Sequence, residues 1–247
     1  MGAALCKELS ALGAHLILSA RDMRALEELK THLERPEKCT VLPLDVTNGL
    51  QINQATQQVL AQFGRIDILI NNAGISQRSS SLDTALEIDR KIMEVNYFGT
   101  VHLTKNIAPS MLQNGSGHIV VISSVTGKLG APMRSGYAAS KHALHGFFDS
   151  FRAETEDKGI KTTIICPGYV HTNISINALT ADGSPQNKMD TQTSNGMTPE
   201  SLAKNILKAV SNGKREVYFG GKEILGIYIK RFIPSIYYTL VKKHNTN

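Results

Sequence analysis

Hydrophobic positions along the chain follow two alternating patterns. Short runs rich in β-branched residues are typical of buried strands, and longer segments with apolar residues three or four apart are typical of amphipathic helices. The predicted strands are 14–19, 40–44, 66–70, 118–122, 161–166 and 216–219. The predicted helices are 22–33, 51–63, 86–111, 136–158 and 199–211. This alternation predicts an α/β fold, a Rossmann-type, doubly wound parallel sheet with helices on both faces.

Two segments depart from this alternation. Residues 172–198 are rich in Ser, Thr, Asn, Asp and Gly and show little periodicity, and a loop of this length is usually functional. Residues 224–243 form an apolar and aromatic tail with basic flanks, interrupted by Pro234. Charges interrupt this tail too often for it to span a bilayer, but it is suited to a membrane interface. The alternative is that the tail packs over the substrate pocket or against a partner subunit.

Composition limits the classes of protein to consider. With 247 residues and 41% hydrophobic content, the chain is long enough for one substantial core, and we expect a single domain over 1–247. Cys6, Cys39 and Cys166 are odd in number and lack paired spacing, which predicts neither disulfides nor a metal site. The net charge of +6 is spread along the chain. We therefore expect a solvated basic surface and no nucleic-acid partner.

Tyr137 and Lys141 are four residues apart at the start of a predicted helix, in the sequence Tyr-Ala-Ala-Ser-Lys. At this spacing two helical side chains lie on one face. A cation within roughly 4–6 Å favours the ionised form of a tyrosine, whose usual pKa is ~10. We therefore expect Lys141 to lower the pKa of Tyr137 and make it a usable proton donor and acceptor. The pair alone does not establish a site, because this spacing is common in exposed helices.

Other short motifs strengthen the interpretation of this pair. Ser124 follows the apolar run 118–122, and a hydroxyl at the carboxyl end of a parallel strand points into the crevice where such folds bind ligands. The remaining motifs are Asn-Asn-Ala-Gly at 71–74, Val-Asn-Tyr-Phe-Gly at 95–99 and Pro-Gly-Tyr-Val-His-Thr at 167–172. Together with the Tyr-Lys pair they resemble the short-chain dehydrogenase/reductase family, in the right order and over nearly the whole chain.

The resemblance implies hydride transfer between a nicotinamide and a carbonyl or secondary alcohol, with four catalytic residues. Tyr137 would exchange a proton with the substrate oxygen, and Ser124 would polarise the same carbonyl. Lys141 would lower the pKa of the tyrosine and hydrogen-bond the nicotinamide ribose. Asn96 would hold a helix kink and a water that relays protons. The segment 172–198 occupies the place of the family's substrate-binding region.

The resemblance also assigns residues to a dinucleotide. Asp45 and Val46 would flank the adenine, and Asn72, Ala73 and Gly74 would pass the adenosine ribose. The nicotinamide end would meet Tyr137, Lys141, Pro167, Gly168 and Thr172.

In the family, the end of the second strand indicates which dinucleotide is bound, and the predicted strand 14–19 takes that place here. An acidic residue at the end of this strand selects NAD, whereas a basic residue accommodates the 2′-phosphate of NADP. The predicted strand 14–19 ends without an acid, and Arg21 follows it, which favours NADP. The alternative is that Arg21 only faces solvent and is neutralised by Asp22.

The start of the chain departs from the family pattern. Family members begin with a strand and a turn of the type T-G-x-x-x-G-x-G, whose amides and helix N-terminus receive the cofactor phosphates. Only Gly2 remains, in the place of the last glycine. A missing central strand would leave two neighbouring strands with unpaired backbone groups. We therefore expect the sequence to be an N-terminally truncated fragment; a short isoform that has lost cofactor binding is the alternative.

Within the family, the motifs resemble the dehydrogenase/reductase member 7 and 7B subgroup. This resemblance implies association with the endoplasmic reticulum membrane, a hydrophobic substrate of steroid, retinoid or lipid type, and a homodimer or homotetramer. A cytoplasmic location is the alternative. A second hypothesis for function is a non-catalytic, membrane-associated binding protein that keeps the fold but not turnover.

Overall fold

The computed structural model describes residues 1–242; residue 243, the last of the predicted tail, lies outside them. The strands are β1 (Leu16–Leu18), β2 (Cys39–Val41), β3 (Ile68–Asn71), β4 (Gly117–Ile122), β5 (Ile160–Pro167) and β6 (Glu216–Phe219). The helices are α1 (Gly2–Ala11), α2 (Met23–Thr31), α3 (Gly49–Phe63), α4 (Leu86–Met93), α5 (Gly99–Gln113), α6 (Ser135–Thr155), α7 (Thr191–Ser194), α8 (Pro199–Ser211), α9 (Glu223–Phe232) and α10 (Pro234–Lys242). The predicted alternation of strands and helices is confirmed.

The strands form two parallel sheets. β3, β4, β5 and β6 pair in that order, and β1 pairs only with β2 among the described residues. β1 and β3 therefore each carry one edge without a strand partner. The expectation that two neighbouring strands have unpaired edges is confirmed. The Rossmann-type sheet is split into a two-stranded part that ends at β1 and a four-stranded part that begins at β3.

Alternate side chains of β4 pack against helices on opposite faces of the larger sheet. Ile119 and Val121 point to the side of α5 and α6 and pack in one core cluster. Val120 and Ile122 point the other way, into the cluster that includes residues of α1 and α8. Successive side chains of a strand face opposite sides of the sheet. A strand that is apolar at every position is therefore buried on both faces. The carboxyl end of β4, which precedes Ser124, is thereby fixed from both faces.

The predicted helix 86–111 is interrupted. Residues 94–98 form a π-helical turn between α4 and α5. Single π-turns inside α-helices are frequent at functional sites, since they re-aim the side chains around them. The π-turn contains Asn96, the residue at which the family resemblance placed a helix kink.

The segment 172–198 is mostly irregular, with α7 as its short helix. Isolated bridges join Leu179 to Gln77 and Val170 to Met197, which hold the segment against the carboxyl ends of the strands. The tail forms α9 and α10. None of the helices within residues 1–242 has the length and apolar character needed to cross a bilayer.

Candidate active site

Three of the four predicted catalytic residues line one cavity at the carboxyl ends of β3, β4 and β5. Ser124 follows β4, and Tyr137 and Lys141 project from the first turns of α6. Pro167, Gly168 and Thr172, which come from the end of β5 and the segment after it, also line this cavity. Asn96 lies behind Lys141 and contacts the same cavity wall. The sequence motifs therefore meet in space as predicted.

Asn96 is fully buried and joins three parts of the chain. Its Oδ1 accepts a hydrogen bond from the backbone N–H of Ile75 at 2.8 Å. Its Nδ2 donates to the carbonyl of Ile75 at 3.0 Å and to Oγ of Ser140 at 2.9 Å. Gly74 fits this packing because a Cβ there would lie 3.3 Å from Asn96 Oδ1 and 3.5 Å from Lys141 Nζ. The asparagine thus fixes the loop after β3 against α6.

Lys141 is buried, and its ammonium is held by the end of β4. Nζ donates to the carbonyl oxygen of Ile122 at 2.8 Å and lies 5.8 Å from the centroid of the Tyr137 ring. Burial lowers the pKa of Lys141 to about 8. The fraction of Lys141 that is charged therefore falls as the pH rises through this value.

The structure contradicts the predicted lowering of the Tyr137 pKa by Lys141. Burial raises the pKa of Tyr137 above its usual value and outweighs the opposing effects of a hydrogen bond with Ser124 and of the Arg134 and Arg78 charges. The ammonium lies over the ring, and its bond to Ile122 directs it to the backbone. The buried Tyr137 phenol is consequently protonated at neutral pH.

Ser124 lies within reach of the phenol and is oriented by its neighbours. Its Oγ accepts hydrogen bonds from the backbone N–H of Thr126 at 3.2 Å and from Thr126 Oγ1 at 3.0 Å, and it donates to the carbonyl of Pro167 at 3.4 Å. These contacts hold the hydroxyl at the cavity, where a substrate oxygen could replace the Pro167 carbonyl as acceptor of this long hydrogen bond.

The nicotinamide end of a dinucleotide fits the residues present. Met1, Asn72 and Gly74 border the cavity beside Lys141. Asn72 Oδ1 is buried and has no hydrogen-bond partner within residues 1–242, so it is available to a donor on a ligand. Gly2 lies next to the same side chain, since a Cβ on it would be 3.0 Å from Asn72 Nδ2. The start of α1 therefore faces this side of the cavity.

Of the residues predicted for the adenosine end, Asn72 and Gly74 line the cavity, and the others lie outside it. Arg21 is exposed after β1, and Asp22 is engaged as the N-cap of α2, accepting from the amides of Arg24 and Ala25 at 2.9 and 3.2 Å. Asp45 accepts two hydrogen bonds from Thr47, which lower its pKa.

Val46 and Ala73 complete this predicted set. The Val46 carbonyl packs against Gly99, where a Cβ would lie 2.6 Å away, and Ala73 is exposed after β3. Neither residue lines the cavity that contains Tyr137. The structure therefore brings the predicted nicotinamide residues together with Asn72 and Gly74, but not with Arg21, Asp45, Val46 or Ala73.

Sequence inspection missed two arginines of this cavity. Arg78 and Arg134 both line it, and both pair with Asp190 of the segment 172–198. Arg134 is three residues before Tyr137, and Arg78 follows the Asn-Asn-Ala-Gly motif by four residues. Their proximity to two recognised motifs was the available signal, but nothing in the spacing showed that they point inward.

His145, Cys166 and Glu216 form a buried group beneath the site. Their ligand atoms lie within 4.8 Å of one another, a proximity that sequence spacing did not reveal. Lys128 Nζ is 2.8 Å from the Glu216 carboxylate and neutralises it. Burial raises the pKa of Glu216, but hydrogen bonds from His145, Lys128 and Tyr218 outweigh this and hold it at about 2. We assign this group a structural role at the ends of β5 and β6.

Comparison with known proteins agrees with this geometry. Residues 1–182 match the model of the short chain dehydrogenase family. Dehydrogenase/reductase SDR family member 7B of Xenopus laevis is 41% identical over 252 aligned residues, covering 98% of this chain and 77% of that protein.

Solved structures share the fold. A short chain dehydrogenase/reductase from Burkholderia phymatum in complex with NAD superposes with a TM-score of 0.83 at 21% identity, covering 99% of this chain and 91% of that one. A short chain dehydrogenase from Burkholderia cenocepacia in complex with NADP gives a TM-score of 0.79 at 23% identity, covering 97% and 92%. With this fold, the Tyr-Lys pair in its cavity and the family match over 1–182, the chain belongs to the short-chain dehydrogenase/reductase family.

Proposed function

We propose that this protein is an NADP(H)-dependent oxidoreductase that interconverts a carbonyl and a secondary alcohol on a hydrophobic substrate. The observation that carries the proposal is the convergence of Ser124, Tyr137 and Lys141 on one cavity, with Asn96 fixing its wall. Val170 and Ile174 contribute apolar surface to the same cavity, which suits a substrate with an apolar body.

The side chains divide the chemistry of carbonyl reduction. A bound nicotinamide supplies the hydride. The Tyr137 hydroxyl donates the proton to the substrate oxygen, and Ser124 donates a hydrogen bond to the same oxygen as negative charge develops there. The Lys141 ammonium is held at the cavity by the Ile122 carbonyl, where it would hydrogen-bond the ribose of a bound nicotinamide. In the oxidative direction the same groups act in reverse.

The preference for NADP rests on Arg21. We expect Arg21→Asp to weaken NADPH binding by about 10- to 100-fold and to leave NADH binding unchanged or stronger, because a guanidinium pairs with the 2′-phosphate and a carboxylate repels it. Titration of both dinucleotides, followed by nicotinamide fluorescence or calorimetry, measures the two dissociation constants.

Arg90→Asp is the matched control, since Arg90 is an exposed arginine on α4 whose one ion pair within residues 1–242 is with the nearby Glu87. Equal loss in both variants would reflect general charge and would refute the assignment of Arg21. If the unsubstituted chain binds neither dinucleotide, the alternative of a non-catalytic binding protein replaces the oxidoreductase.

We also propose that the tail meets the endoplasmic reticulum membrane. Its inner face is buried, because Ile227 and Tyr237 pack against Val125 and Leu129. Its outer face exposes large apolar side chains: Leu225, Phe232, Ile233, Ile236 and Leu240. Lys222, Arg231 and Lys242 add exposed positive charge along it. An apolar face with basic neighbours supports contact with an anionic bilayer surface. The inner face also supports the alternative that the tail covers the active-site side of the domain.

Removing one of these apolar side chains tests the membrane contact. Phe232 is 76% exposed, and we expect Phe232→Ser to weaken binding to vesicles by about tenfold, because the ring would otherwise enter the bilayer interface. Co-sedimentation with vesicles of phosphatidylcholine, with and without phosphatidylserine, measures this. Leu82→Ser is the control, since Leu82 is 97% exposed and lies outside the tail. No binding by the unsubstituted chain would contradict the proposal.

The predicted homodimer or homotetramer stays a prediction. Support comes from partly exposed aromatic side chains of the π-turn and of α6, where Tyr97 contacts Phe98 and Phe147, and Phe147 stacks on Phe151 with ring centroids 6.2 Å apart. Aromatic surface of this kind is enriched in subunit interfaces.

A further inference from the structure

Two arginines line the cavity beside the catalytic tyrosine, and they share one carboxylate. Arg78 donates to Asp190 Oδ2 through Nε at 2.9 Å and through Nη2 at 2.5 Å. Arg134 reaches the same oxygen through Nη2 only, at 3.3 Å. The side chains of Arg78 and Arg134 are 7% and 10% exposed, so they are accessible only from the cavity that they line. The cluster carries two positive charges and one negative charge.

The surplus charge lies mainly on Arg134. Arg78 bonds Asp190 through Nε and Nη2 and also donates through Nη1 to Ser76 Oγ and the Gln77 carbonyl, whereas Arg134 makes a single, longer contact with Asp190. Arg134 Nε is buried and has no hydrogen-bond partner within residues 1–242. Its guanidinium also lies 5.8 Å from the centroid of the Tyr169 ring, another residue of the cavity wall. A buried guanidinium with unused donors is costly unless an anion pairs with it.

The position of Arg134 links that anion to the reaction. Arg134 precedes α6 and is three residues before Tyr137, so the two side chains are on the same stretch of cavity wall. Burial lowers the pKa of Arg134, which indicates that the surrounding protein does not supply a full counter-charge. A planar fork of donors suits a carboxylate or a phosphate, both of which accept two parallel hydrogen bonds.

We propose that the substrate carries an anionic group, a carboxylate or a phosphate, which Arg134 binds while the substrate carbonyl lies against Ser124 and Tyr137. This inference rests on the proposed function and narrows its substrate class to an anionic carbonyl compound with an apolar body. Asp190, on the segment 172–198, then positions both arginines, and Arg78 holds that segment in place.

A matched pair of ketones tests the proposal. Benzylpyruvate and benzylacetone differ only in a carboxylate in place of a methyl group, and hydroxymethyl phenethyl ketone and its phosphate monoester give the corresponding phosphate pair. NADPH oxidation is followed for each compound. We expect kcat/KM to be higher for the anionic member of at least one pair by about tenfold or more, and the pair that shows it distinguishes carboxylate from phosphate.

Variants separate recognition of the anion from the intrinsic reactivity of the ketone. We expect Arg134→Met to reduce the ratio of kcat/KM for the anionic over the neutral ketone by about 10- to 100-fold, mainly through KM, and Arg134→Lys to reduce it less. Arg90→Met, at an exposed arginine, is the control and should keep the ratio. A ratio that Arg134→Met leaves unchanged overturns the proposal.

The outcomes also distinguish this inference from the proposed function. If no ketone supports NADPH oxidation, the proposed function fails, and the inference fails with it. If the anionic and neutral ketones react equally well in both pairs in the unsubstituted protein, only the inference fails. Should Arg134→Met not fold, competition on the unsubstituted protein decides: hydrocinnamate should inhibit benzylacetone reduction about tenfold more strongly than hydrocinnamamide, and equal inhibition overturns the proposal.

Discussion

Tyr137→Phe is expected to lower kcat for carbonyl reduction by about 10²- to 10⁴-fold, because it removes the hydroxyl that donates a proton to the substrate oxygen and leaves the ring in place. Tyr137 is 8% exposed, and its phenol is the group whose pKa burial raises, so the protonated form prevails at neutral pH. Steady-state NADPH oxidation measures the rate, and calorimetry measures dinucleotide binding, which the change should leave within a factor of about three.

The control for this change is Tyr228→Phe, at a half-exposed tyrosine on α9. It removes the same atom from a residue that does not line the cavity and should keep full activity. A Tyr137→Phe protein that is folded and retains its rate would assign the proton to another group, with Ser124 as the nearest candidate.

Asn96→Leu is expected to lower the free energy of unfolding by about 3–5 kcal/mol and to abolish activity. The substitution keeps the approximate volume but leaves the N–H and carbonyl of Ile75 and the hydroxyl of Ser140 without the partners that Asn96 provides. Each buried polar group that loses its partner costs about 1–3 kcal/mol. Denaturation in urea, followed by circular dichroism, measures the change in stability.

Asn106→Leu provides the comparison on the next helix. Asn106 is half-buried and donates one local hydrogen bond, to the carbonyl of His102 at 3.0 Å, so we expect its replacement to cost about 1 kcal/mol or less. Similar losses in the two variants would mean that Asn96 is an ordinary buried amide and that the π-turn does not depend on it.

The elements of this fold could be predicted from the sequence where one pattern dominated. The strand Glu216–Phe219 and the helix Pro199–Ser211 agree with the structure to the residue, because each has a clear apolar period and a local boundary signal. The interruption at 94–98 could not be predicted from periodicity alone, since a π-turn shifts the register of a helix without breaking its apolar face. Its family motif was the only signal.

The residues of the candidate site could also be predicted only where a local sequence pattern marked them. Ser124, Tyr137 and Lys141 were found because each belongs to a motif of fixed spacing. The pKa of Tyr137 was predicted in the wrong direction, because helical spacing brings Lys141 near the ring but does not show that its ammonium is directed to the Ile122 carbonyl. Burial is a property of the assembled cavity and cannot be deduced from two positions on a helix.

The tail packs against the segment that follows Ser124. Val125 and Leu129, on the segment that follows Ser124, share a packed cluster with Ile227 and Tyr237, and the Tyr237 hydroxyl donates to the carbonyl of Gly130. Drawing α10 outward would break these contacts with the segment that follows Ser124. The last described helix and the serine of the cavity are therefore joined through a few side chains, far apart in sequence and adjacent in space.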